Sequence, residues 1–296
     1  MTRTSSSVRS SADGAGARAK LAAMRGAFAV LDRVASPLAA RWALDIWCTL
    51  PKQPGLRRDE RPGGGVRLDL LRSGGTRLAV ETWGEGPPVY LAHGWGGWRG
   101  QLGAFIRPLV EAGNRVVAFD APGHGDSAPG SLGKGRGNAT EFARALEDVI
   151  DAHGPAAGVV AHSLGGAAAS LAIHDGAPVA RLALVAPSPD FIRMTDALAA
   201  RLGYGDETKR RFLALLEWRA HRPLADFDMT ARSEPGAPSL IVHDRLDKEV
   251  PYDDGARLAG AWPSAEFVTT EGLGHQRILR DAAVIERICR FVTMRP

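Results

Sequence analysis

Apolar positions along this chain follow two alternating patterns. Short, largely apolar runs recur at 89–92 (Val-Tyr-Leu-Ala), 115–120, 158–162, 181–186, 239–243 and 265–269. Between them, apolar residues return every three or four positions, at 98–112, 140–152, 167–174 and 281–292. The first pattern predicts strands buried on both faces; the second predicts amphipathic helices that cover them. Two further strands are expected at 66–71 and 77–83, with Ser73-Gly74-Gly75 as their hairpin turn. Strands alternating with helices predict an α/β fold, a mostly parallel sheet covered by helices on both faces.

Two regions break this rhythm. Residues 190–236 contain no good strand and carry a helical run, 207–220, rich in Leu, Phe, Trp and Arg. They read as a helical cap insertion over the carboxyl ends of the strands, where such sheets bind their ligands. At the N-terminus, Leu21, Met24, Phe28, Leu31 and Val34 share one helical face, and a second piece from Leu38 carries Trp42, Leu44, Ile46 and Trp47. Pro37 separates the two. The polar face mixes both signs of charge, so a helical pair packed on the main domain is favoured over a lid or a membrane-surface helix. The division expected is a disordered tail at 1–20, an N-terminal helical extension at 21–60, core at 61–189, insertion at 190–236 and core again at 237–296. The tail reading rests on Ser-, Ala-, Gly- and Arg-rich residues that cannot bury enough surface to offset ordering entropy.

Composition narrows the function classes. The 296 residues are 45% hydrophobic and 24% charged, with a formal net charge of +4. Basic residues alternate with acids instead of gathering into a run, which argues against nucleic acid as a partner. Cys48 and Cys289 sit in apolar surroundings and read as buried thiols, a long-range disulfide being the alternative. No apolar run reaches the length of a membrane span, and the first twenty residues lack the apolar core of a secretory signal. A cytoplasmic protein is expected. The histidines show no metal spacing, and neither a metal nor a cofactor is expected.

The chemistry centres on Val159-Val160-Ala161-His162-Ser163-Leu164-Gly165-Gly166. A strand that turns into a helix within a few residues forces a strained bend with the apex side chain exposed. Small residues around the apex let the helix pack back on the strand. Free N–H groups at the helix start favour a negative oxygen nearby. Ser163 is therefore either a nucleophile or an ordinary polar residue in a glycine-containing turn.

This stretch resembles the nucleophile elbow of the α/β-hydrolase family, with Ala161 in place of the usual first glycine. Four more segments resemble family motifs in the family's order. In Asp244-Arg245-Leu246-Asp247-Lys248-Glu249-Val250-Pro251 the resemblance makes Asp247 the acid, with Asp244 second and Asp190, beyond an earlier strand, third. In Glu271-Gly272-Leu273-Gly274-His275 it makes His275 the base. In His93-Gly94-Trp95-Gly96-Gly97 it makes the N–H of Trp95 an oxyanion donor, beside the N–H of Leu164. Phe119-Asp120-Ala121-Pro122-Gly123-His124-Gly125-Asp126-Ser127 resembles a loop with a scaffold role. His162 adjoins Ser163 but diverges from it as a neighbour at a strand end, so it is a poor base.

The resemblance implies a serine hydrolase that cleaves a carboxylester or thioester through an acyl-enzyme. Trp95, His162, Phe191 and Trp218 are the expected pocket residues, and the aromatic and leucine content of the insertion suggests a small-molecule substrate with an apolar acyl or aryl part. The alternatives are an acyltransferase on the same scaffold and a non-catalytic ligand-binding protein, since fold does not fix function.

Overall fold

The structure is a computed structural model that describes residues 5–51, 59–72 and 75–294. The chain divides into two compact units: residues 48–190 with 225–296, and residues 1–47 with 191–224.

The larger unit is built on one eight-stranded sheet. Its strands are β1 (Val66–Leu71), β2 (Arg77–Trp83), β3 (Pro88–Ala92), β4 (Arg115–Phe119), β5 (Gly158–His162), β6 (Leu182–Val185), β7 (Ser239–Asp244) and β8 (Glu266–Thr270). They lie in the order β1-β2-β4-β3-β5-β6-β7-β8. β1 and β2 are antiparallel, β2 is antiparallel to β4, and the rest run parallel. Each expected strand is present, with ends moved by a residue or two. The expected turn residues Ser73 and Gly74 lie outside the described residues.

Two-residue periodicity sorts the strands onto two faces. Val89, Leu91, Val116, Ala118, Val160, Val185, Leu240 and Val242 point to one core. That core is closed by α3 (Ile106–Glu111) and α10 (Ala282–Thr293). α10 presents Val284, Ile288, Phe291 and Val292, all buried at helical spacing, each worth roughly 1.5–3 kcal/mol on burial. Asp281 caps it by accepting from the N–H of Val284 at 3.0 Å. The opposite face packs on α4 (Ala139–His153), α5 (Leu164–His174) and α8 (Tyr252–Ala261), as when Phe142 meets Phe119 edge-on at 5.8 Å. Asn138 caps α4 through Thr140 N–H at 2.9 Å.

One expected helix, 98–112, is broken. Arg99–Phe105 forms a 3-10 turn before α3 begins. Arg99 is fully buried there, tied to Asp120, Glu81 and Asp126.

The smaller unit is helical: α1 (Ser5–Val34), α2 (Ser36–Cys48), α6 (Phe191–Leu202) and α7 (Asp206–Ala220). Helix α1 begins at Ser5, where the composition suggested a tail; alanine and arginine are good helix formers. Within this unit the N-terminal helices pack against α6 and α7. Phe28 stacks on Trp42 at 4.3 Å and meets Tyr204 at 5.4 Å, while Trp47 meets Phe191 and Phe212 edge-on at 6.0 and 5.9 Å. Arg25 donates to the carbonyls of Ala200 and Arg201, both at 3.0 Å, which satisfies the open end of α6. Residues 225–236, expected with the insertion, belong to the sheet unit.

Candidate active site

Strand order makes the crevice. β4 lies on one side of β3 and β5 on the other, so the chain reverses its direction of travel across the sheet there. Loops leaving the carboxyl ends at such a point part from one another and leave space for a ligand. The loop after β3 and the turn after β5 both stand at this place.

Ser163 occupies that turn with φ 52° and ψ −122°. A non-glycine residue held there costs about 1–3 kcal/mol, a strain concentrated at functional sites. The small neighbours are required by contact. A Cβ on Gly165 would lie 2.4 Å from the carbonyl oxygen of His93 and 2.7 Å from that of Ala92. Ala161, the departure from the family pattern, is buried in register with Leu184 and Ala92 without disturbing either ladder.

The loop after β3 is locked by its own polar groups. The Nε2 of buried His93 accepts from Ala121 N–H at 3.1 Å, so the ring proton is on Nδ1 and donates to the carbonyl of Gly94 at 2.8 Å. That carbonyl also accepts from Gly97 N–H, and Gly94 N–H donates to Gln101 Oε1, both at 2.8 Å. Gly94 runs against the elbow: a Cβ there would be 3.2 Å from that of Ser163. Burial pushes the His93 imidazole down to about 4. The ring of Trp95 lies edge-on to His124 at 5.4 Å, in space that a side chain at Gly137 would fill. Asp126 pairs with Arg99 at 2.7 Å, and the His124 ring packs on His93 at 5.0 Å.

The acid and histidine loops meet beyond β7 and β8. His275 Nδ1–H donates to Asp247 Oδ2 at 2.7 Å, and both residues are buried. Asp247 Oδ1 accepts from the N–H groups of Glu249 and Val250 at 2.8 and 3.0 Å. His243 Nε2–H donates to the Val250 carbonyl at 3.1 Å and lies 3.5 Å from Asp247 Oδ2. Burial alone would raise the Asp247 carboxyl, but the bonds from His243, His275 and Val250 outweigh it and hold it well below the usual range. The carboxyl therefore stays ionised beside the imidazole.

Asp244 does different work. Its buried carboxylate accepts from Leu246 N–H at 2.9 Å, Thr270 Oγ1 at 2.8 Å and Leu273 N–H at 2.9 Å. It staples the acid loop to the histidine loop. Asp190 pairs with Arg257 at 2.9 Å.

His162 Nε2–H donates to the main-chain carbonyl of His275 at 3.1 Å, and the two rings are 4.5 Å apart. Ser163 thus lies one residue from a side chain that touches His275. The Oγ of Ser163 has its hydrogen bond with Ser188 Oγ at 3.3 Å; among the described residues it makes none to His275. Phe191 and Trp218 belong to the helical unit. Phe191 is buried against Trp47, and Trp218 is 62% exposed with the Arg219 guanidinium over its ring.

Sequence reasoning missed three residues here. His243 carried a signal, a lone polar residue in an apolar strand four positions before Asp247. His93 was read only as part of a motif. Ser188, between Pro187 and Pro189, carried none.

Comparison with known proteins agrees with this architecture. A model described as the alpha/beta hydrolase family matches residues 89–287. The pimeloyl-[acyl-carrier protein] methyl ester esterase of Xanthomonas campestris pv. campestris (strain B100) is 30% identical over 269 residues, covering 74% of this chain and 100% of that protein. The 2-hydroxy-6-oxo-6-phenylhexa-2,4-dienoate hydrolase of Comamonas testosteroni is 28% identical over 239 residues, 65% of this chain and 82% of that protein. Among solved structures, an esterase from Exiguobacterium antarcticum superposes with a TM-score of 0.57 at 19% identity, covering 76% of this chain and 99% of its own, a likeness of fold. With the family model spanning most of the sheet domain, from β3 into α10, the chain belongs to the α/β-hydrolase family.

Proposed function

We propose that this protein is a serine hydrolase that cleaves a carboxylester or thioester through an acyl-enzyme formed on Ser163. Serine is a weak nucleophile at neutral pH and needs a base, which in turn needs an orienting carboxylate. In this reading Asp247 holds the Nδ1–H of His275, leaving Nε2 to take the Ser163 proton as Oγ attacks the carbonyl carbon. The N–H groups of Leu164 and Trp95 receive the developing oxyanion. The tetrahedral adduct collapses, His275 gives its proton to the leaving alcohol or thiol, and the acyl group stays on Oγ. Water, deprotonated by His275, attacks the acyl carbon, and His275 returns that proton to Ser163 Oγ as its bond to the acyl carbon breaks and the acid leaves.

The observation that carries the reading is the 2.7 Å bond between His275 and an ionised, buried Asp247, in a loop that also bonds the residue next to a strained Ser163. The relatives support it, since one is named an esterase and another a hydrolase. A small-molecule substrate with an apolar acyl or aryl part remains the expected class. No described helix is long and apolar enough to cross a membrane. The buried thiols of Cys48 and Cys289 suit a reducing compartment, the cytoplasm.

The test is turnover of a short p-nitrophenyl ester. Ser163→Ala should abolish it with the circular dichroism spectrum unchanged. Turnover near the wild-type rate in that variant removes Ser163 from its role.

A further inference from the structure

Ser163 is one of three non-glycine residues with positive φ among those described; the others are Ala186 and His221. His221 ends α7 in a left-handed cap, an ordinary use of that conformation. Ala186 has no such explanation. It follows β6, next to the elbow, with φ 46°. Two strained turns therefore stand side by side at the carboxyl ends of adjacent parallel strands.

What the second turn presents is Ser188. Pro187 and Pro189 flank it and restrict the backbone on both sides. Ala186 N–H is fixed to the Val242 carbonyl at 2.8 Å. Ser188 N–H then reaches the Ser163 carbonyl at 3.4 Å, and Ser188 Oγ stands 3.3 Å from Ser163 Oγ, with only 4% of the residue exposed. Backbone and side chain both address the same residue.

We propose that Ser188 is a second hydroxyl of the reacting centre, donating its O–H to Ser163 Oγ. This rests on the reading of Ser163 as nucleophile, and that reading fixes the direction of the bond. Ser163 must give its own proton to His275, so toward Ser188 its oxygen can only accept. No bond to Ser188 forms or breaks. Its hydroxyl aims the attacking lone pair and receives the charge that grows on Oγ as the proton leaves. At 3.3 Å the resting bond is longer than the usual hydroxyl pair of about 2.7–2.8 Å, and it tightens as its acceptor becomes anionic. The same donor acts again when Oγ departs from the acyl group.

Ser188→Ala and Ser188→Cys test this, with the rate of fluorophosphonate labelling at Ser163 and steady-state ester hydrolysis as readouts. Loss of one such donor should slow labelling and kcat about tenfold, with KM within twofold of wild type. Cysteine fills the same space with a weak donor, so it should be as slow as alanine. Labelling at the wild-type rate in either folded variant overturns the proposal. A cysteine variant as fast as wild type beside a slow alanine variant also overturns it, because space and not the hydroxyl would then matter. If alanine fails to fold, cysteine alone decides. Wild-type protein that takes no label would instead sink the serine-hydrolase reading itself.

Discussion

The imidazole of His162 is bonded to the main-chain carbonyl of His275, the residue proposed as base, across 113 positions of sequence. The sequence made His162 a poor base beside Ser163, and the geometry gives it a different task. It ties the end of β5 to the histidine loop. Burial holds the His162 imidazole well below its ordinary value, so the ring is neutral, with the proton on Nε2 and the lone pair on the buried Nδ1.

Removing that tie should loosen the base. In His162→Ala the carbonyl of His275 loses its donor, and kcat/KM for a p-nitrophenyl ester should fall about tenfold. His162→Gln, which can still donate, should lose less. Equal losses in the two variants would show that ring packing, not the hydrogen bond, is what matters.

The two loop carboxylates should part company under substitution. Asp247→Asn removes the charge beside His275 and presents a donor where an acceptor is needed, so kcat should drop by up to about 10⁴-fold. Asp244→Asn disturbs a carboxylate that accepts from three groups, and should cost about 1–3 kcal/mol of stability with a smaller loss of kcat. Kinetics and urea unfolding of both variants separate the roles; a crippled Asp244→Asn beside an active Asp247→Asn reverses them.

Stability should rise with pH between about pH 4 and pH 6.5. Burial holds His93 down at about 4, His124 at about 3, and His162 well below its ordinary value. On unfolding, each takes up a proton near pH 6.5. The unfolded state then binds more protons than the folded one across this window, so acid favours unfolding. Each histidine contributes a slope of up to about 1.4 kcal/mol per pH unit. Urea midpoints at pH 5, 6 and 7 should climb in that order, and a flat series would contradict neutral burial.

The elbow should reject one methyl group. In Gly165→Ala the new carbon meets two backbone oxygens that cannot turn aside. Overpacking of this kind costs about 1–3 kcal/mol and moves Leu164, so both the unfolding midpoint and activity should fall.

Much of this architecture was legible from local pattern. Strands such as 158–162 and 239–243 announced themselves because burial on both faces makes each a short run of consecutive apolar residues, Val159-Val160-Ala161 and Leu240-Ile241-Val242. Asp247 and His275, which the fold brings to 2.7 Å, were singled out through motifs that sit next to such strands. What escaped was decided by distant packing. Nothing near Phe28 or Trp47 reveals that they meet Tyr204, Phe191 and Phe212 more than a hundred residues later. The run 98–112 reads as one helix from its apolar spacing, and nothing in that spacing shows that Arg99 is buried against Asp120 and Glu81. Ser188 matters through two prolines and a strained alanine, none of which has a spacing to read.

A Ser163 oxygen that reacts as a nucleophile takes up an electrophilic phosphorus probe covalently. The most direct measurement is intact-mass and peptide analysis after incubation with a fluorophosphonate. One adduct per chain is expected, on Ser163, absent from Ser163→Ala and strongly reduced in His275→Ala. A folded wild-type protein with no adduct, or an adduct that persists in Ser163→Ala, would contradict a nucleophilic Ser163.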